Sequence, residues 1–417
     1  MIKKRKPRIL WANVCCLLDT SSGASLSVRE MLRQLDAHGY EVAILGATVF
    51  DAQMGVSQVK HALETVRKNR KRMIEIQDGS LTHRLITTAS VFRKDMTSLE
   101  EGSWYGQYIQ MLDTFRPDLV WFYGGQPFDF LIPDEARYRN IPTAALLVNG
   151  NYQGRRWFRD VDIILTDSKA TAEMYRRTQG YHVYPVGKFV NPENVVSSEH
   201  TRQRLLFINP TLEKGAGIVV QLAILLERQR PDIIFEVVQS RGDWHEHVKH
   251  ITASLGEPRT GLQNVIVTPS TKDMRSVYGR ARIVLSLSLW WESGSRVLAE
   301  AMLNGIPAII TDRGGPPEMI GNAGLKLRLP ERFHEKPYKR LPKPELLTPL
   351  VHKIIELYDD ESLYQEFVAR ARYVGATVHD LSISTRRLMQ ALEPCIDKRA
   401  GDRLINEPDT RGMAFSE

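Results

Sequence analysis

Ile283-Val284-Leu285-Ser286-Leu287-Ser288-Leu289-Trp290-Trp291-Glu292-Ser293-Gly294-Ser295-Arg296-Val297-Leu298-Ala299-Glu300-Ala301-Met302 begins as an apolar run, passes through a loop and continues at helical spacing. Gly305-Ile306-Pro307-Ala308-Ile309-Ile310-Thr311-Asp312-Arg313-Gly314-Gly315-Pro316-Pro317-Glu318 adds a second apolar run, a glycine pair and a helix start. A strand ending near Leu287, a helix from about Ser295 and a strand at 308–311 make one βαβ unit, which needs parallel strands.

The same alternation extends outward in both directions. Strands are expected at 204–209, 233–238 and 265–267, with a helix at 217–228. Earlier, strands fall at 8–14, 41–45, 119–123, 143–148 and 163–166. Between the first two, a loop at 20–24 leads into an amphipathic helix with Leu26, Val28, Met31, Leu32 and Leu35, closed by Gly39. Short apolar runs separated by helices imply parallel sheets covered on both faces. The expected class is α/β: two Rossmann-like, doubly wound domains facing a cleft, with C-terminal helices. The boundaries are 1–190 for the first domain, 191–200 for a Pro- and Ser-containing linker and 201–375 for the second. A helix at 376–395 packs back on the first domain. The charged segment 396–417, with Gly401, Pro408 and Gly412, is expected to be a disordered tail.

Composition agrees with this class. The chain has 417 residues, too many for one ordinary core, with 42% hydrophobic and 25% charged residues. Three cysteines, two of them adjacent at Cys15 and Cys16, give neither a disulfide framework nor a zinc spacing, so a reducing cytoplasm is expected. The basic start is followed by too short an apolar stretch for a signal peptide. No run of 18 apolar residues spans a membrane. The net charge is +7, and residues 1–100 hold 16 Lys/Arg against 10 Asp/Glu. That surplus concentrates in residues 3–8 and 67–72. It reads as solvated surface or as a patch for an anionic membrane face; no nucleic-acid motif is present.

Ligands of open parallel sheets bind at the carboxyl ends of strands. After 204–209 comes Pro210-Thr211-Leu212-Glu213-Lys214-Gly215-Ala216-Gly217, where glycine lets backbone approach a ligand and Lys214 favours an anion, or where the chain merely turns. Glu292 falls in a loop at a helix mouth and Glu300 about two turns into the helix. They read as acceptors for sugar and ribose hydroxyls, or as a cap and a solvated helix residue. The amides at 293–296 are available to phosphate oxygens. Gly314-Gly315 reads as an anion nest or a tight turn.

These residues resemble those of family-4 glycosyltransferases, which have the GT-B fold. The Glu292-to-Glu300 spacing resembles that family's Glu-x7-Glu signature, and Glu300-Ala301-Met302, Gly305-Ile306-Pro307 and Asp312 through Glu318 resemble the string that follows it. The resemblance covers most of 8–393 in outline. It implies a retaining, metal-independent transfer from a nucleotide sugar, with no cofactor. Glu292 and Lys214 become the catalytic candidates, on the donor sugar and the diphosphate. Glu300 becomes the ribose ligand, with Gly294, Ser295, Arg296, Val297, Asn209, Gly215, Arg241, Gly23 and Ala24 around the nucleotide sugar. Asn149 and Gly150 are expected in the acceptor or sugar pocket.

Four departures from the family pattern bear on the chemistry. Asn209 stands where an Arg is usual, and Arg241 or Arg296 is the expected substitute. Glu292-Ser293-Gly294-Ser295 replaces the common Glu-Gly-Phe-Gly. Asn149 replaces a His, which removes proton transfer at that position, and Ala24 replaces a second glycine. Elsewhere, Asp160-Val161-Asp162 is read as structural, His245, His247 and His250 as a surface helix rather than a metal site, and Trp290-Trp291 as one core and one pocket residue.

The expected acceptor is a glycan, a lipid-linked molecule or a protein, in cell-surface polysaccharide or glycoconjugate assembly. A GT-B epimerase or phosphorylase, and a non-catalytic binder of nucleotide sugars, are the competing classes.

Overall fold

The computed structural model describes residues 5–69 and 72–406. The first domain contains β1 (Arg8–Ala12), β2 (Glu41–Ala47), β3 (Met73–Asp78), β4 (Leu81–Ile86), β5 (Leu119–Phe122), β6 (Thr143–Leu147), β7 (Ile163–Thr166) and β8 (Val183–Pro185). Its helices are α1 (Gly23–Ala37), α2 (Lys60–Asn69), α3 (Ser98–Thr114), α4 (Leu131–Tyr138) and α5 (Lys169–Gln179). Among the described residues the strands form an eight-stranded sheet in the order β3-β4-β2-β1-β5-β6-β7-β8. Neighbours pair in parallel except in the β3–β4 hairpin.

Residues 9–12 of β1 are fully buried, as a central strand covered on both faces requires. Alternation splits them between two cores. Leu10 and Ala12 join Trp104 and Tyr108 on one face. Ile9 and Trp11 join Val28, Leu32 and Leu35 of α1 on the other.

The second domain contains β9 (Arg204–Ile208), β10 (Phe235–Val238), β11 (Val265–Thr268), β12 (Ala281–Ser286), β13 (Ala308–Thr311) and β14 (Gly324–Leu327). Its helices are α6 (Ala216–Gln229), α7 (Trp244–Ser254), α8 (Arg275–Arg280), α9 (Arg296–Leu303) and α10 (Pro316–Ile320). The strand order β11-β10-β9-β12-β13-β14 is parallel throughout. It reverses between β9 and β12, and a crevice is expected outside the carboxyl ends at such a point. The two doubly wound sheets establish the α/β class.

Three helices follow: α11 (Pro344–Asp359), α12 (Glu361–Thr377) and α13 (Leu381–Asn406). Leu388, Leu392 and Ile396 of α13 are buried in the core that holds Ile9 and Trp11, so the chain ends by returning to the first domain. The expected disordered tail is corrected in part. The backbone is helical through Asn406, and Ile396, the first residue of that segment, is buried in the first-domain core. Residues 407–417, the rest of that segment, lie outside the described residues.

The sequence reading also passed over β3, β4, β8 and β14. The hairpin alternates more and less buried residues rather than presenting an apolar run, and β8 and β14 are short edge strands. Cys15, Cys16 and Cys395 form no disulfide, and burial pushes the Cys15 and Cys16 thiols up to about 12. Among the described residues no helix is long and apolar enough to cross a membrane.

Candidate active site

A cleft of about 1190 Å³ lies between the domains, lined by loops from the strand ends of both sheets. From the second domain it receives Asn209, Lys214, Arg241, Glu292, Gly294, Ser295, Arg296, Val297 and Glu300. From the first it receives Gly23, Ala24 and Asn149.

Lys214 is placed by the turn after β9. Gly215 adopts φ +88°, and a Cβ there would overlap the Leu287 carbonyl oxygen. Glycine therefore lets the turn rest on the end of β12 and delivers Lys214 towards Glu292. Gly215 itself packs against the Leu287 backbone and is not among the residues lining the cleft. Asn209 sits at φ +61°, and its Oδ1 accepts from the Arg241 amide at 3.0 Å. In place of a cationic side chain it offers a brace between two loops.

Glu292 is 4% exposed and accepts hydrogen bonds from Lys214 Nζ, Ser288 Oγ and Trp290 Nε1, the last at 3.2 Å. Burial alone raises its carboxyl pKa. The Lys214 charge and the three donors outweigh that and hold it below the ordinary value. Glu292 is thus an ionised acceptor at neutral pH and cannot serve as a proton donor. Lys214 Nζ also lies 5.1 Å from the centroid of the Trp290 ring.

Glu300 is the fifth residue of α9, a little over one turn in rather than two, because the helix starts at Arg296. It accepts from the Tyr278 hydroxyl at 2.5 Å and pairs with Arg296 Nε at 2.6 Å. Burial and the Glu300 charge push the Tyr278 hydroxyl well up, so Tyr278 is a fixed neutral donor. Arg296 also donates to the Phe189 carbonyl at 3.2 Å. Arg241 reaches Asp51 across the cleft at 3.7 Å and is 41% exposed, which makes it the freer of the two proposed substitute cations.

The glycine pair is not an anion nest. The Gly315 amide donates to the Glu292 carbonyl at 2.9 Å, and neither glycine lines the cleft. A Cβ on Gly315 would overlap the Ser293 carbonyl oxygen and lie 2.8 Å from Ser168 Oγ. The pair therefore supports the Glu292 loop from behind.

That loop also touches the first domain. Asn149 and Glu292 form a backbone β-bridge. Trp291 Nε1 donates to Thr171 Oγ1 at 3.1 Å. Ser293 Oγ donates to Asp167 Oδ2 at 2.7 Å, and Lys188 Nζ donates to the same oxygen at 2.9 Å. Glu318 accepts from the Lys169 and Ala170 amides, both at 3.1 Å, capping α5 from the other domain. Gly150 packs on the Trp291 side chain, where a Cβ would lie 2.8 Å from Cγ, and is not among the residues lining the cleft. Gly23 and Ala24 open α1, capped by Ser22, and a Gly23 Cβ would come within 4.0 Å of Arg296 Cβ. The N-termini of α1 and α9 thus face each other across the cleft.

Asp167, Lys188, Ser288 and Tyr278 were missed in the sequence. Asp167, Lys188 and Tyr278 matter through partners more than twenty residues away in the chain, while Ser288 bonds Glu292 four residues on, a spacing that carries no signal in a loop. Trp290 lines the cleft while Trp291 packs between domains. Asp160 pairs with Arg137 and Arg159, and Asp162 accepts from the Thr143 amide at 2.8 Å. His245, His247 and His250 lie on α7. Among the described residues no three His, Cys, Asp or Glu side chains gather as a metal-ion site.

Known proteins resemble this arrangement. Residues 196–374 match the family model described as glycosyl transferases group 1. Spore coat protein SA of Bacillus subtilis (strain 168) is 29% identical over 126 residues, 29% of this chain and 33% of that protein's length. A glycosyltransferase from Rickettsia africae ESF-5 superposes with TM-score 0.66 at 14% identity, covering 94% of this chain and 99% of its own. Sucrose-phosphate synthase from Thermosynechococcus elongatus gives 0.67 at 12% identity, with coverages of 94% and 100%. Anabaena HepE in complex with UDP gives 0.63 at 14% identity, with coverages of 93% and 100%. The chain thus has the two-domain GT-B fold, and its second domain matches the group 1 glycosyl transferases over residues 196–374.

Proposed function

We propose that this protein is a retaining glycosyltransferase that moves a sugar from a nucleotide-sugar donor to a glycan, lipid-linked or protein acceptor, in cell-surface polysaccharide or glycoconjugate assembly. The observation that carries the reading is the pairing of half-buried Lys214 with buried Glu292 at the cleft, with Glu300 eight residues on in the first turns of α9. Glu300 and Tyr278 form the ribose end. Lys214 and the α9 N-terminus oppose the diphosphate charge that grows as the leaving group departs. Ionised Glu292 accepts a hydroxyl of the donor sugar.

The bond from the anomeric carbon to the diphosphate oxygen breaks as the acceptor oxygen bonds on the same face. The departing phosphate oxygen takes the acceptor proton. Asn149 cannot titrate, which suits a course with no protein base there. Neither a metal nor a cofactor enters this course. UDP is the first nucleotide to test, since HepE was solved with UDP and with UDP-glucose.

A thermal-shift screen of UDP-, GDP- and dTDP-sugars tests donor binding, because a ligand of the folded state stabilises it by RT ln(1 + [L]/Kd). One nucleotide series is expected to raise Tm, with chelator making no difference. No shift with any series would contradict the proposal.

A further inference from the structure

We infer that Lys188 is a specificity-determining contact for the transferred sugar, held in place by Asp167; this rests on the donor reading above. Lys188 enters the cleft lining from the segment after β8, yet its side chain is 7% exposed and that of its partner Asp167 2%. An ammonium has three N–H donors. Among the described residues Nζ uses one of them, on Asp167 Oδ2 at 2.9 Å. A buried cation with unused donors on the wall of a ligand cleft is preorganised to bind an oxygen that arrives with the ligand.

The location fixes which part of the ligand that is. Ser293 Oγ bonds the same Asp167 oxygen, and Ser293 adjoins Glu292, the sugar-side carboxylate. Gly294 comes so close that a Cβ would lie 2.7 Å from Asp167 Cβ. The departures in this loop are therefore coupled. A large side chain at 294 has no room beside Asp167, and the hydroxyl at 293 serves as the second donor to its carboxylate. Asp167 neutralises Lys188, and together they set a hydrogen-bond donor on the cleft wall beside the Glu292 loop.

The test uses the full chain and the double variant Asp167→Asn/Lys188→Met, which removes both charges and leaves no uncompensated one; melting curves confirm folding. Titration calorimetry measures Kd for UDP, GDP and dTDP. Nucleotide release then gives kcat/KM for the glucose, galactose and N-acetylglucosamine conjugates of whichever nucleotide binds. Nucleotide Kd is expected to stay within about threefold. The kcat/KM for the preferred sugar is expected to fall about 10- to 100-fold, in line with the loss of one charged hydrogen bond, and the preference among the three sugars to flatten. An unchanged preference, or an equal loss of nucleotide affinity, overturns the role of Lys188 while leaving the donor reading intact. A wild-type chain that binds no nucleotide overturns both.

Discussion

Ser293 of the second domain donates its hydroxyl to Asp167 of the first at 2.7 Å, one residue beyond the carboxylate that pairs with Lys214. The Glu292 loop is thus held by both domains: Gly315 and Ser288 from its own, and Asn149, Thr171 and Asp167 from the other. The geometry of the sugar end of the site depends on how the two domains meet.

The close approach behind the loop makes Gly315→Ala the most direct local test. The new methyl meets the Ser293 carbonyl and Ser168, which belong to different domains. Stability is expected to fall by about 1–3 kcal/mol in urea unfolding, with nucleotide release falling alongside it. An unperturbed variant would show that the loop is not supported there.

Glu318 caps α5 across the domain boundary. Glu318→Ala is expected to cost about 1 kcal/mol of stability and to speed amide exchange at Lys169 and Ala170. Hydrogen-exchange mass spectrometry on the segment containing these residues reads this directly.

His379, buried between α12 and α13 with Nε2 2.8 Å from the Met319 carbonyl, is pushed by burial down to about 4. The unfolded chain takes up its proton near the ordinary value of about 6.5, and the native state only near 4. Its contribution is therefore full above pH 6.5 and is lost as pH falls to 4, by up to about 3 kcal/mol. Burial raises Asp129 to about 6, which acts in the opposite sense: it costs stability as pH rises from about 4 to 6. The difference in stability between wild type and His379→Gln, measured from pH 4 to 7, isolates the histidine. A steeper rise with pH in the wild type is expected.

The basic surplus of the first hundred residues bears on a membrane-facing acceptor. Arg5 already pairs with Asp118 at 2.7 Å and Arg8 with Glu41 at 2.8 Å, so part of the 3–8 cluster is engaged within the fold. Residues 3, 4, 70 and 71 of the two clusters lie outside the described residues, and the side chains of 67–69 are likewise not described. Neutralising the basic residues in 67–72 is expected to weaken sedimentation with phosphatidylserine vesicles, by roughly 1 kcal/mol per charge. Unchanged binding would remove the membrane proposal.

Strand ends were the legible part of this site. Lys214, Glu292 and Glu300 could be located because a parallel sheet puts its loops at one edge, and the apolar runs say where strands stop. Glycines were less informative. Gly150, Gly215 and Gly315 each mark a position with no room for a side chain, and in all three cases the space is filled by the protein rather than by a ligand. Asp167 and Ser293 are 126 residues apart and belong to different domains, so no local pattern pairs them. The β3–β4 hairpin was passed over because its alternating pattern is the antiparallel one, in a chain otherwise read for parallel strands.

In the proposed reaction Lys214 and Glu292 act together on a nucleotide sugar. Incubating the wild type, Lys214→Met and Glu292→Gln with radiolabelled nucleotide sugars and measuring free nucleotide puts this joint action to the test. Release by the wild type from one donor, cut about 10²- to 10³-fold in each variant while the fold persists, is the expected result. No release from any donor, or equal release by all three proteins, would contradict it.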